Sequence, residues 1–398
     1  MPAPLDSLQL PARTANRGGW PAVLAVTAGI FSIVTTEILP IGLLTPIGDT
    51  FAASDGTAGL MMTLPGLLAA VAAPVVTVGA RGVDRRRMLC LLMVVLALAD
   101  FLAAWAPAYW LMMVSRVLVG LVIGAFWSIG SGLADRLVPQ AQAGRATAVI
   151  FSAVPLGSVL GVPAGTFLGQ LAGWRAAFTA MGVLTLLVLA ALLRTLPPLP
   201  PQRATRLTVL RELLGTARVR VGLAATFLIV TAHFGTYTYV TPFLADVTDA
   251  GPGLITAFLL AYGVAGIAGN FLAGAWARRE PRRTFAAAAT LLAGATLLLP
   301  VIGANQYAAL ALLLLWGLAY GAVPVCSQTW FVGAAPQAPE AASVLFTSSF
   351  QATMSLGALA GGIVVDSAST RLVMALGGIA ALLAAATVSA SRLRPPRP

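Results

Sequence analysis

The chain has 398 residues, of which 59% are apolar and 9% charged, and its mean hydropathy is +0.90. These values exclude a water-soluble globular domain of ordinary composition. A formal charge of +11 on one soluble face would suit nucleic acid, but the basic residues are all arginine and mostly separate hydrophobic stretches, so nucleic acid is excluded as a partner.

A bilayer core about 30 Å thick needs roughly 20 apolar residues per helix. Leu, Ala, Val and Gly run here without the period-two alternation of a membrane β-barrel. Hydropathy predicts spans at 20–43, 56–78, 88–105, 108–130, 146–168 and 174–196, then at 218–244, 252–276, 284–302, 306–330, 341–364 and 370–391. The expected fold is an all-α polytopic membrane protein with twelve transmembrane helices in two six-helix repeats. Residues 1–19 carry Arg13 and Arg17 but no short apolar core before a small-residue cleavage site, so the first span is expected to be retained. Pro197, Pro198, Pro200 and Pro201 mark the one long polar break. The expected organisation is a six-helix bundle at 1–196, a cytoplasmic linker at 197–217 and a second bundle at 218–398.

Counted from an inside amino terminus, 21 of the 24 arginines fall in inner-side segments and only Arg116, Arg175 and Arg371 do not. This predicts both termini in the cytoplasm. A shift near 197 superposes the halves: Gly120 and Gly124 fall on Gly317 and Gly321, Pro139 and Gln140 on Pro336 and Gln337, and Gly165 on Gly362. The basic turn from Gly79 to Arg87 recurs as Gly274 to Arg283, and Arg175 answers Arg371 at a shift of 196. Duplicated units of this kind place a substrate site near the mid-membrane interface between them.

Ionisable groups within apolar spans cost about 3 kcal/mol each on insertion scales and need a partner or a job. Glu37, Asp100, Arg116 and His233 are the main ones, with Asp366 near an outer helix end. Glu37 lies about 25 Å along the first span and beside Pro40. It is read as the proton-coupling carboxyl; the alternative is a carboxylate paired to Arg116 or bonded to Thr36. Asp100 and Arg116 flank one outer turn at similar depth, where a structural ion pair is expected, with assistance to coupling as the second role. His233 is the single histidine. It is a candidate proton carrier, since imidazole ordinarily titrates near neutrality, but a neutral hydrogen-bonding cavity residue is the favoured reading.

Thr226, Val230, His233, Tyr237 and Thr241 form one helical stripe, and Trp316, Tyr320, Pro324 and Ser327 form another. With Phe126, Trp127, Tyr262, Asn270 and Gln328 they are the expected substrate cavity, in which aromatic planes stand beside hydrogen-bond donors. Lipid-facing or interfacial aromatics are the alternative. Ala153, Gly157, Gly161, Gly165 and Gly169 are spaced by four, leaving one helix face bare for close packing or for a rocking interface. The chain lacks lysine and so cannot supply a phosphate-cradling Gly-x-x-x-x-Gly-Lys loop. No cluster has metal-ligand spacing, and Cys90 and Cys326 lie in or beside apolar spans, giving no disulfide framework. No cofactor, metal or enzymatic activity is expected; the remaining partners are a small-molecule substrate, protons and lipid, with the chain acting as a monomer.

The loop after the second span, with Gly79 or Gly82, Asp84, Arg85, Arg86 and Arg87, resembles the signature of the major facilitator superfamily, and specifically of its drug/proton antiporter branch. Arg116 and Gly120 match the Arg-x-x-x-Gly feature of helix four. Gly157, Gly161, Pro163, Gly165 and Gly169 are similar to the Gly- and Pro-rich helix five, with Pro163 one place late. The resemblance implies a proton-driven exporter, with Asp84, Arg85, Arg86 and Arg145 at an inner-side gate. More narrowly, Thr36 to Pro46, Phe126-Trp127-Ser128, Gly173-Trp174-Arg175, Trp316-Gly317-Leu318 and Val323-Pro324-Val325 resemble bacterial sugar and purine ribonucleoside exporters. That implies export of inosine- or guanosine-like molecules from the bacterial cytoplasm across the inner membrane, with sugars or chloramphenicol-like drugs as alternatives. A membrane enzyme or receptor would need a soluble domain or a fixed catalytic constellation, and neither is visible.

Overall fold

The computed structural model describes residues 19–79, 83–129, 133–200, 212–277, 280–335 and 337–391. Arg13, Arg17, Arg81, Gly82, Pro201, Arg203, Arg206, Arg211, Arg278, Arg279, Pro336, Arg392, Arg394 and Arg397 lie outside the described residues. The first half contains α1 (Gly19–Phe51), α2 (Asp55–Gly79), α3 (Arg85–Ala104), α4 (Tyr109–Ile129), the short α5 (Leu133–Leu137), α6 (Gln140–Ala172) and α7 (Trp174–Thr195). The second contains α8 (Ala217–Tyr237), the short α9 (Val240–Asp246), α10 (Pro252–Ala277), α11 (Pro281–Ile302), α12 (Gln306–Ala334), α13 (Pro339–Ser367) and α14 (Thr370–Ala390). Twelve of these helices are long and apolar enough to cross a membrane.

Local chemistry sets the helix ends. The side chains of Asp84, Asn305 and Ser369 accept from the first free N–H groups of α3, α12 and α14. Pro281 and Pro339 stand in the first turn of α11 and α13, where a missing N–H costs nothing. Gly173, at φ +81°, separates α6 from α7 in a conformation that a side chain would strain. Two helices outrun their predicted spans, α1 to Phe51 and α6 back to Gln140. Hydropathy registers only the part at lipid depth. The seventh predicted span is broken at Thr238 and Tyr239, four and three residues before Pro242, whose missing N–H leaves the Thr238 carbonyl without a helical donor.

The halves are built alike. In the first, α1 packs on α6 and α7, α2 on α4, and α3 on α4 and α7; in the second, α8 packs on α13 and α14, α10 on α12, and α11 on α12 and α14. Between halves, α2 lies on α13 and α6 on α10, which are again equivalent pairs. The four-spaced glycines of α6 bring it against α1 within the first half: Gly157 faces Val34, Gly161 faces Thr35, Gly165 faces Leu39 and Gly169 faces Leu43. Buried Pro163 lies on the same helix.

Among the described residues, contacts across the halves occur at the end of the bundle where α1 finishes at Phe51 and deeper within it. At that end Asp366 of α13 accepts from Ser54 Oγ (2.7 Å) and from the Gly56 N–H (2.8 Å) at the start of α2. Gln170 donates to Pro252 O and Thr256 Oγ1, both at 2.7 Å. Deeper, Thr241 Oγ1 donates to Ile41 O at 3.0 Å, and Gly66 lies against Ser355.

Candidate functional site

Two polar centres lie inside the bundle. The first belongs to α1, α3 and α4. Glu37 is 7% exposed, and Asp100 and Arg116 are fully buried. Gln351 of α13 donates to Glu37 Oε1 at 2.8 Å, so this carboxyl bridges the halves. Asp100 Oδ2 accepts from the hydroxyls of Thr36 (3.3 Å) and Thr185 (3.4 Å), while Oδ1 has no hydrogen-bond partner among the described residues. Arg116 donates to backbone carbonyls: Nε to Met61 O at 3.0 Å, Nη1 to Thr36 O at 3.1 Å and Nη2 to Glu37 O at 2.8 Å.

This corrects the expected Asp100–Arg116 ion pair, and the alternative in which Glu37 pairs with Arg116. Among the described residues the ion pair within 4 Å is Arg283–Glu280, an exposed one. The reason is one of donor geometry. A guanidinium held at three carbonyls keeps its N–H groups on the backbone, and each acid is served by uncharged donors instead. Gln351 escaped the sequence reading because it carries no charge; the available signal was an amide in the middle of an apolar span.

The second centre is aromatic and lies in the other half. His233, Tyr237, Tyr262, Trp316 and Tyr320 come together as the sequence stripes require. His233 stacks on Tyr320 (ring centroids 3.2 Å apart, planes 8° apart) and Tyr237 stacks on Tyr262 (4.6 Å, 25°). Trp316 meets His233 edge-on, and its Nε1–H donates to His233 Nδ1 at 3.1 Å. Thr226 and Ser327 join the two stripes with a 3.5 Å hydroxyl contact. Phe234 and Phe350, absent from the predicted set, extend the cluster. Phe126 and Trp127 instead contact each other within the hydrophobic core of the first half. Gln328 is exposed and Asn270 half-buried.

An indole nitrogen only donates. His233 Nδ1 therefore presents its lone pair to Trp316, and the neutral ring carries its proton on Nε2. The imidazole is a fixed single donor.

Around the basic turn, Asp84 caps α3 and its Oδ2 accepts from the Leu199 N–H at 2.9 Å. Arg85 N–H donates to Leu199 O at 2.8 Å, Arg86 Nη2 to Leu193 O at 2.6 Å and Arg136 Nη2 to Pro200 O at 2.8 Å. These bonds hold residues 197–200, the start of the expected linker, against the first half. Arg145 lies 5.2 Å over the Trp20 ring.

The Major Facilitator Superfamily model matches residues 24–349. The chain is 31% identical over 375 residues to the "Purine ribonucleoside efflux pump NepI" of Escherichia coli K12, covering 94% of this chain and 95% of that protein. It is 30% identical to the pump of the same name from Shigella dysenteriae, with the same coverage. Among solved structures it is similar to a bacterial homologue of the human lysosomal transporter Spinster in an inward-facing, unoccupied conformation (TM-score 0.74, 15% identity, 92% of this chain and 95% of that one). It is also similar to the human organic anion transporter MFSD10 (TM-score 0.68, 18% identity, 92% and 99%). With twelve spans in two equivalent halves, a polar centre in one and an aromatic centre in the other, the chain belongs to the major facilitator superfamily and is a multi-pass membrane transporter, not an enzyme.

Proposed function

We propose that the protein exports purine ribonucleosides of the inosine or guanosine type across the bacterial inner membrane in exchange for protons, by alternating access, as a monomer with both termini in the cytoplasm. The observation that carries the coupling is the buried bond from Gln351 to Glu37 across the halves. A carboxyl on a moving interface links its own protonation to the equilibrium between joined and separated halves, because only one arrangement supplies that donor. Asp100, bonded to the hydroxyl of the residue beside Glu37, assists. No cofactor takes part, since the proton gradient drives the cycle. Asp84, Arg85, Arg86 and Arg145 serve the gate on the terminal side.

Substrate class is supported by the 31% identity to a purine ribonucleoside efflux pump and by the aromatic centre. Its parallel rings offer stacking surfaces to a planar base, and His233 Nε2–H offers one donor to an acceptor such as purine N7 or O6. The test is uptake of radiolabelled inosine into everted membrane vesicles under an imposed proton gradient. Gradient-dependent uptake that depends on Glu37 supports the proposal. Uptake of chloramphenicol or sugars without inosine would remove the substrate assignment.

A further inference from the structure

Arg116 donates to three carbonyls on two other helices, and the sequence explains why two of them are free. In an α-helix the N–H of residue i bonds the carbonyl of residue i−4, and proline has no N–H. Pro40 leaves Thr36 O without its donor, and Pro65 leaves Met61 O without its donor. Those are the atoms that Nη1 and Nε reach, at 3.1 and 3.0 Å. Nη2 meets Glu37 O, one residue further along the same turn, at 2.8 Å. At this depth no bulk water replaces a missing backbone donor. A planar guanidinium presents five N–H groups in a fixed fork and can serve three separate carbonyls, whereas lysine has a single nitrogen.

The second half provides an internal comparison. Gly120, one turn after Arg116, packs against Pro65 and Leu68; Gly317 packs in the same way against Tyr262 and Ala265, each residue displaced by 197. Tyr262 therefore holds the place of Pro65, and Leu313 holds that of Arg116. The place of Pro40 falls on Thr236 or Tyr237, at a shift of 196 or 197. Each of these residues has its N–H. Where both prolines are missing, the arginine is missing too.

We infer that Arg116 is a positioning residue. It replaces the two N–H groups that Pro40 and Pro65 remove, fixes α1 and α2 against α4 at these prolines, and so holds Glu37 facing Gln351 and Thr36 facing Asp100. Its value lies in donor geometry on the backbone, not in pairing with either acid. The inference uses the coupling role of Glu37 only in the transport measurement below.

The test is a double-mutant cycle on the full chain in detergent, read as thermal melting of R116M, R116K, P40A/P65A and P40A/P65A/R116M. R116M and R116K should both lower Tm. With the backbone N–H groups restored, R116M should cost less than about a third of what it costs in the parent, because the two changes share one set of bonds. An equal cost in both backgrounds, or a wild-type Tm for R116K, overturns the clamp. If the double proline variant does not fold, the P65A/R116M pair gives the same cycle for Met61 O alone. The second readout is the pH profile of inosine uptake into everted vesicles. P40A/P65A and P40A/P65A/R116M should share one midpoint, and a displacement of about one pH unit or more would show that the arginine acts by its charge on Glu37. If the wild type takes up no inosine, the substrate proposal fails, and the melting cycle still decides the clamp.

Discussion

The two halves share a scaffold and differ in what they bury. Gly120 on Pro65 and Gly317 on Tyr262 are the same close contact repeated, as are Gly124 on Ala69 and Gly321 on Gly266. Around these shared contacts the first half buries Glu37, Asp100 and Arg116, and the second buries His233, Tyr237, Tyr262 and Trp316. Close helix packing tolerates only small residues and so resists divergence after duplication. Side chains pointing into the interior are free of that constraint, and each half has specialised there. One centre is organised by charge and backbone carbonyls, the other by ring stacking and a single neutral donor.

The largest effect that separates the halves is expected at Glu37. Glu37→Gln removes the titrating group but keeps an amide-sized side chain, and proton-driven inosine uptake should fall on the order of 100-fold, near the upper end of coupling free energies between sites. Exchange of labelled for unlabelled inosine without a gradient should survive. Wild-type uphill transport in this variant would sink the coupling assignment.

In the second half the change should fall on recognition and leave coupling alone. Trp316→Phe frees His233 Nδ1, so the imidazole loses its fixed tautomer, and the apparent KM for inosine should rise about tenfold, the scale of one hydrogen bond in a desolvated site. The dependence of rate on the proton gradient should not change. An altered gradient dependence with an unaltered KM would reverse the roles given to the two halves.

Between the halves, Asp366→Asn weakens the bonds from Ser54 and Gly56 that join the two halves at the end where α1 finishes. Maleimide labelling of a Thr241→Cys reporter, in a background lacking Cys90 and Cys326, should quicken about fivefold as that end opens, a shift on the order of 1 kcal/mol for charge-assisted bonds. Unchanged labelling would mean that Asp366 does not contribute to closure.

The smallest expected difference tests the shared scaffold. Gly120→Ala and Gly317→Ala each force a Cβ into a facing backbone and should cost roughly 1–3 kcal/mol of stability. Their costs, compared by thermal melting, should agree within about 0.5 kcal/mol if the two contacts are equivalent and independent. A much larger gap would show that the halves have diverged in packing as well as in chemistry.

By itself the sequence determined the membrane class, the number of spans, the duplication and most of the two lists of interior polar and aromatic residues, Phe126, Trp127, Asn270 and Gln328 being the members that do not join the aromatic cluster. Apolar runs of span length, a fixed register and the cost of burying charge are properties that a one-dimensional pattern carries directly. It also marked which half held which list. Only the tertiary structure decided the partners. For Glu37, read as the coupling carboxyl, the partners the sequence offered as the alternative were Arg116 and Thr36, whereas its side chain meets Gln351, 314 positions away on the other half. Asp100 was expected to pair with Arg116 and instead accepts from two threonine hydroxyls. The physical reason is that Pro40 and Pro65 release backbone acceptors whose claim on a nearby guanidinium appears only when α1, α2 and α4 are assembled. Charge is visible in a sequence, whereas an orphaned carbonyl becomes a binding partner only once its helix is packed against the donor.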